Sequence, residues 1–326
     1  MNPEETTQQT ADIGSMIADL TRAQAGVDYV AWCLHGQCRA HESRPEVSGV
    51  PRMADSCRRI AEKLSFDTDD KLDGRLLRLG TGRLIRTVLA TARGAVYCEQ
   101  VVPGSYLVGV TIGLPGDQPA GRELAYRADE AIADRVEHFR DQIHGRRYDL
   151  GSWHSEHMRE ELRATPIRPR TSEEDFGDSV PSGLPATVTG RTGHPAVPVA
   201  RDAVRAQDLQ LVALFDESGP AFCVDVLHDP RVAERIRHDQ RPSAAQRRGW
   251  YQELGAELPD YLLELAKTAR GAIGGPLIRA VLDVEDGAVY YRRLDASRYV
   301  VGLTVFQEQV FPAERRVDAM MDAWPA

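Results

Sequence analysis

The sequence predicts an α/β chain of the α+β type: two copies of a helix-flanked, five-stranded antiparallel sheet, paired as a pseudo-dimer. Three observations carry this reading. Gly82 to Ile112 (GRLIRTVLATARGAVYCEQVVPGSYLVGVTI) aligns with Gly275 to Val305 (GPLIRAVLDVEDGAVYYRRLDASRYVVGLTV) at a constant offset of 193, without a gap and with 14 of 31 positions identical. Within each block, apolar runs alternate with turn residues at strand spacing. Around each block lie stretches with the 3.6-residue period of amphipathic helices. A duplicated small domain is the covalent counterpart of a two-fold homodimer, the commonest assembly of soluble domains.

Taken in order, the first copy opens with a helix marked by Ile13, Met16, Ile17 and Leu20. Val27 to Leu34 and Cys38 to His41 then form a hairpin turning at His35-Gly36-Gln37. Met53, Cys57, Ile60 and Leu64 mark one face of a second helix. After a polar segment (FDTDDKLDG) come three strands, Leu84 to Ala90, Ala95 to Val101 and Tyr106 to Ile112, with Gly94 and Pro103-Gly104 at the reversals. A long closing helix carries Leu124, Ala128, Ala131, Ile132, Val136, Phe139 and Ile143 inward.

The second copy keeps this order. Arg205-Ala206-Gln207 and Val212-Ala213 echo Arg22-Ala23-Gln24 and Val30-Ala31, and the hairpin turns at Asp216 to Gly219. Asp229-Pro230 is an N-cap followed by proline at the first helical position. It opens a helix with Val232 and Ile236 inward. Residues 239–272 read as a helical insertion, and Val317, Met320, Met321 and Trp324 as a shorter closing helix.

The resulting division is a disordered N-terminus over 1–11, copy 1 over 12–145 and a helical extension over 146–163. A Pro-rich linker over 164–198 and copy 2 over 199–326 complete it.

The net charge of -9 argues against general nucleic-acid binding, which needs a basic footprint. Lys63, Lys71 and Lys267 are the only lysines beside many arginines, a bias that fits a high-GC genome. With no charged-then-apolar leader and no apolar run of about 20 residues, a cytoplasmic protein is expected. Five cysteines split four to one between the copies, so reduced thiols are expected and not a repeated disulfide framework.

In the order of its elements and in the residues of its meander, each copy resembles a roadblock/dynein-light-chain domain, a profilin-like fold close to longin modules. The matching pieces are Gly26-Val27 and Gly36 in the hairpin and, more specifically, the meander from Leu84 to Ile112. The resemblance covers most of residues 12–143 and about 200–324; the segment 239–272 departs from it. It implies a non-enzymatic regulator or scaffold that pairs through its second helix and third strand and binds a small Ras-like GTPase or another regulatory partner. The implied pairing edges are Leu84 to Ala90 and Leu277 to Val284, with the Met53–Leu64 and Val232–Ile236 helices alongside. The interface candidates are therefore Leu84, Val88, Leu277, Val281, Met53 and Ile60, together with Arg86 and Arg279. An alternative is a small-ligand sensor, with the 239–272 insertion as a lid over a pocket.

Arg86 and Arg279 are repeated charges inside apolar strands. They read either as symmetric arginines meeting an acidic partner or anion across the pseudo-dyad or, preferred here, as solvent-facing positions with packed stems. Cys33, His35, Cys38 and His41 carry zinc-type ligands. Their spacing straddles a tight hairpin and the second copy has no counterpart, so buried thiols and a turn histidine are expected. His154 and His157 read as part of a solvated helix. Gly80-x-Gly82 and Gly271-x2-Gly274-Gly275 precede strands and lack the Gly-Lys-Ser/Thr ending of a phosphate loop, so they read as breakers. No catalytic set, metal or cofactor is assigned.

Overall fold

Strand alternation and turn chemistry dictate most of what the backbone does, and the strands of both copies join in one sheet. The computed structural model describes residues 17–22, 26–68, 76, 82–116, 118–144, 185–235 and 242–325. The extension 146–163, with His154 and His157, lies outside the described residues, as do 1–16 and most of the expected linker.

Residues 17–22 are helical, and the hairpin follows as β1 (Tyr29–Leu34) and β2 (Gln37–Ser43). Helix α1 spans Pro51–Asp67, and the meander is β3 (Leu84–Thr91), β4 (Gly94–Val102) and β5 (Ser105–Ile112). Helix α2 (Pro119–His144) closes the first copy. The second copy runs β6 (Thr187–Gly190), α3 (Val197–Ala203), β7 (Leu211–Asp216), β8 (Gly219–Asp225) and α4 (Pro230–Arg235). It continues through α5 (Ala244–Ile273), β9 (Leu277–Val284), β10 (Gly287–Arg293), β11 (Tyr299–Thr304) and α6 (Val310–Asp322).

The strand order is β2-β1-β5-β4-β3-β9-β10-β11-β7-β8-β6. Read outward from the centre, β3-β4-β5-β1-β2 of the first copy matches β9-β10-β11-β7-β8 of the second, and β6 is added beyond β8. Antiparallel pairing of β3 with β9 fuses the halves into one 11-stranded sheet. Pairing the two apolar strands removes two edges that would otherwise invite association with other chains.

Helices cover both faces. On one, α2 and α6 lie close because a glycine recurs at the repeat offset beneath each. A Cβ at Gly109 would meet Ile132 Cδ1 at 2.6 Å, and one at Gly302 would meet Val317 Cγ2 at 3.2 Å. On the other face α1 packs against α5, and a Cβ at Gly271 would meet Ser56 Oγ at 2.9 Å.

Three expectations are corrected. The 239–272 segment is neither a lid nor an insertion apart from the fold: α5 occupies the second-helix position of copy 2 and meets α1 across the dyad. Its stripe of Tyr251, Leu254, Leu258, Leu262, Leu265, Ala269 and Ile273 supplies the buried helical face. The six-residue α4, expected in that role, is too short to build one; its Val232 is buried, and Ile236 lies outside the described residues. The expected linker ends earlier than 198, since Thr187–Gly190 forms β6 on the edge of β8 and α3 begins at Val197. Copy 2 thus contributes six strands, not five. The run of β-branched residues Thr187-Val188-Thr189 is the strand signal that neighbouring prolines concealed.

Candidate functional site at the seam between the copies

Successive residues of a strand point to opposite faces of the sheet, so Arg86, Val88 and Ala90 share one face of β3. Opposite them in register stand Asp283, Val281 and Arg279 of β9. The register slips near Leu84 and near Leu277, which are equivalent positions of the repeat. Leu84, Val88, Leu277 and Val281 are all buried in this seam. Ile60 is buried on α1, and Met53 packs half-buried against the same core. The structure therefore brings the six strand residues together at the junction, while Met53 and Ile60 lie on α1, the helix that packs against α5 of the other copy.

Arg86 and Arg279 are each 2% exposed, which overturns the preferred reading of solvent-facing arginines. The physical reason is that their face of the sheet lies under α2 and α6. Arg86 Nη1 donates to Asp129 Oδ2 of α2 at 3.1 Å. Its Nε lies 3.5 Å from Asp283 Oδ2, and its Nη2 3.6 Å from Glu314 Oε2 of α6. Arg279 Nη1 lies 3.3 Å from Glu314 Oε1, and its guanidinium sits 4.9 Å from the centre of the Tyr126 ring. The acidic partners of both arginines belong to the chain itself, and those of Arg86 include Asp283 and Glu314 from the other copy.

The network extends along α6 and β10. Tyr126 Oη donates to Asp318 Oδ2 at 2.5 Å, and Arg292 pairs with the same carboxylate. Gln307 Nε2 donates to Asp283 Oδ1 at 2.9 Å. At its margin Arg122 Nη2 reaches both carboxylate oxygens of Asp322, at 2.9 and 2.7 Å, and Arg315 pairs with Glu123 at 3.0 Å. These contacts tie α2 of one copy to α6 of the other. Deeper in copy 1, Arg140 lies 3.7 Å from Glu99, which stands beside Arg86 in the β3–β4 register.

Burial pushes the Asp283 carboxyl up to about 7 against the pull of Arg86 and Gln307. Burial likewise raises Glu99 to about 7 and Asp129 to about 6, despite Arg140 and Arg86 beside the first and Arg86 beside the second. For Arg86, burial opposes the charge, but Asp129, Asp283, Glu314 and Glu99 outweigh it and hold the pKa above its ordinary value. Closed off from solvent, this arrangement has the chemistry of a lock between two halves and offers no surface to an outside molecule. Among the described residues no group of three or more His, Cys, Asp or Glu could hold a metal ion.

Sequence reasoning found the two arginines and missed their partners. A signal was present: Arg279 and Asp283 lie four residues apart on one face of an otherwise apolar strand. The repeat also puts Asp283 where copy 1 has Ala90, and Arg292 where copy 1 has Glu99. Asp129, Glu314 and Asp318 carry no such mark, because a carboxylate on an amphipathic helix reads as solvated.

Comparison with known proteins finds no matching protein family and no matching curated protein. Among solved structures, Myxococcus xanthus MglB is 15% identical, covering 43% of this chain and 95% of that one at a TM-score of 0.30. An MglB described with a tetrameric arrangement is 18% identical over 40% of this chain and 90% of that one, with a TM-score of 0.28. The Roadblock/LC7 domain from Streptomyces avermitilis is 12% identical over 40% and 96%, with a TM-score of 0.29. The mirrored order of the five shared strands and the helix positions show two copies of one helix-flanked antiparallel fold in tandem, paired as a pseudo-dimer.

Proposed function

We propose that this chain is a non-catalytic regulatory scaffold whose two copies together form the binding platform for a protein partner of the small Ras-like GTPase class. The observation that carries this reading is the pairing of β3 with β9 within one chain. The two-fold platform implied by the roadblock resemblance is then built in cis, and its halves are free to differ. Because Arg86 and Arg279 are buried, partner binding uses other surfaces. Neither arginine supplies charge to a transferring phosphoryl group, so any effect on hydrolysis acts by repositioning the partner's own residues.

The test is a pull-down from native lysate on the immobilised full-length chain, with GDP and with a non-hydrolysable GTP analogue, read by mass spectrometry. Recovery of a small GTPase in one nucleotide state, at one partner per chain in native mass spectrometry, is the expected result. Absence of any GTPase in both states overturns the reading.

A further inference from the structure

The four cysteines of copy 1 gather on the face opposite the charged seam, beneath α1. In the β1–β2 hairpin Cys33 and Cys38 are direct register partners. A register shift beside them passes over Arg39, so Trp32 pairs with Ala40 and Ala31 with His41. That bulge places His41 on the face of Cys38 although it lies three positions along the strand, where regular alternation would send it to the other side. Tyr29 shares this face and stacks on His41 with ring centres 5.8 Å apart. Cys33, Cys57 and Cys98 are buried; Cys38 is half-buried at the rim. The equivalent hairpin of copy 2 places Phe215 opposite Pro220, so the thiol pair belongs to copy 1 alone.

We propose that Cys33 and Cys38 form a thiol–disulfide couple, in which the accessible Cys38 reacts with a low-molecular-weight disulfide of the glutathione class and the buried Cys33 resolves the product. Directly opposed residues of an antiparallel pair lie about 4.5–5.5 Å apart at Cα, within the span a disulfide bridges. The Cys38 thiol donates to the Ala40 carbonyl at 3.5 Å, and the Cys33 side chain lies beside it. Cys33 as donor, with smaller help from His41 and Tyr29, lowers the Cys38 thiol to about 6, while the same contact and burial raise Cys33. Cys57 is pushed up to about 12 by burial, and burial raises Cys98 as well, so neither competes as a nucleophile. Glu62 of α1 also reaches this rim, where its Oε1 accepts the Cys38 backbone N–H at 3.4 Å.

The Cys38 thiolate attacks one sulfur of oxidised glutathione, the S–S bond breaks, and one glutathione thiolate leaves and takes up a proton. Cys33 then gives up its proton and its sulfur attacks the Cys38 sulfur, expelling the second glutathione. Two protein thiols are oxidised, one glutathione disulfide is reduced, and the two cysteine protons end on the two glutathiones. The roles follow the general pattern of a more accessible, stabilised thiolate beside a buried partner.

The experiment exposes the full-length chain to oxidised glutathione, blocks remaining thiols with an alkylating agent, and maps peptides by mass spectrometry. The expected product carries a Cys33–Cys38 disulfide with Cys57, Cys98 and Cys223 alkylated, and a dithiol reductant returns all five thiols. The Cys33→Ser variant should hold a glutathione on Cys38, and Cys38→Ser should take none, with circular dichroism confirming that both are folded. Because the wild-type measurement decides alone, misfolding of a variant does not rescue the proposal. Five alkylated thiols in the oxidised sample, a glutathione persisting on wild-type Cys38, or a disulfide involving another cysteine overturns it.

Discussion

At the scale of single residues, the seam contains charges where two apolar sheets could have met. Breaking one member of a buried ion network leaves its partners uncompensated, at a cost of about 3–5 kcal/mol. Arg86 contacts Asp129, Asp283 and Glu314, so Arg86→Met should lower unfolding stability by roughly that amount in urea titrations. A loss below about 1 kcal/mol, the scale of an exposed pair, would show that the contacts are not formed. The carboxyls also set a pH dependence. Asp283, Glu99 and Asp129 are raised by burial to about 7, 7 and 6 in the folded chain. Protonated groups of this kind contribute stability that is complete below about pH 4 and lost as pH rises through 6 to 7. The urea midpoint should therefore be higher near about pH 5.5 than near about pH 8; a flat or rising midpoint would contradict the assignment. That these residues escaped the sequence reading has a simple cause. Burial of a charge depends on what packs over it, and the positions of α2 and α6 above the seam are tertiary facts with no local signature.

At the scale of elements, periodicity made the strands and most helices legible, and it failed where a helix served a role the repeat did not mark. The second helix of copy 2 shares no obvious residues with α1 and was displaced by the short, well-capped α4. Helix α5 shows how such an element is fitted. Ser243 and Gln246 form a reciprocal capping box at its start. Pro259 inside it has no N–H, which deprives the Gly255 carbonyl of its helical partner. The Tyr299 hydroxyl of β11 donates to that carbonyl at 3.1 Å, and the Tyr299 ring stacks on Phe215 at 5.0 Å. Tyr299→Phe should cost about 1 kcal/mol in the wild-type chain. In a Pro259→Ala background, where the helix can satisfy its own carbonyl, the same change should cost less. A double-mutant cycle in urea reads the difference, and equal costs in the two backgrounds would refute this account of the Gly255 carbonyl.

At the scale of the whole molecule, duplication has let two equivalent halves diverge. Position 90 is alanine in copy 1 while its counterpart in copy 2, Asp283, faces Arg86 of copy 1; Glu99 corresponds to Arg292. The seam is thus complementary between unlike copies, an arrangement open to one chain carrying both and closed to an identical pair. Among the described residues no helix is long and apolar enough to cross a membrane. The repeat made the pseudo-dimer legible from sequence, and the resemblance implied which edges meet. The charge asymmetry became visible only once β3 and β9 stood in register. The most direct test of cis pairing is a cross-link at that register. Val88 and Val281 are opposed across the seam, so the full chain carrying both Val88→Cys and Val281→Cys is oxidised and run on a non-reducing gel with peptide mapping. A disulfide between positions 88 and 281 within a single chain, formed to the same extent on dilution, is the predicted result. Cross-linked dimers that vanish on dilution, or no bond between these positions, would contradict the pairing on which the account rests.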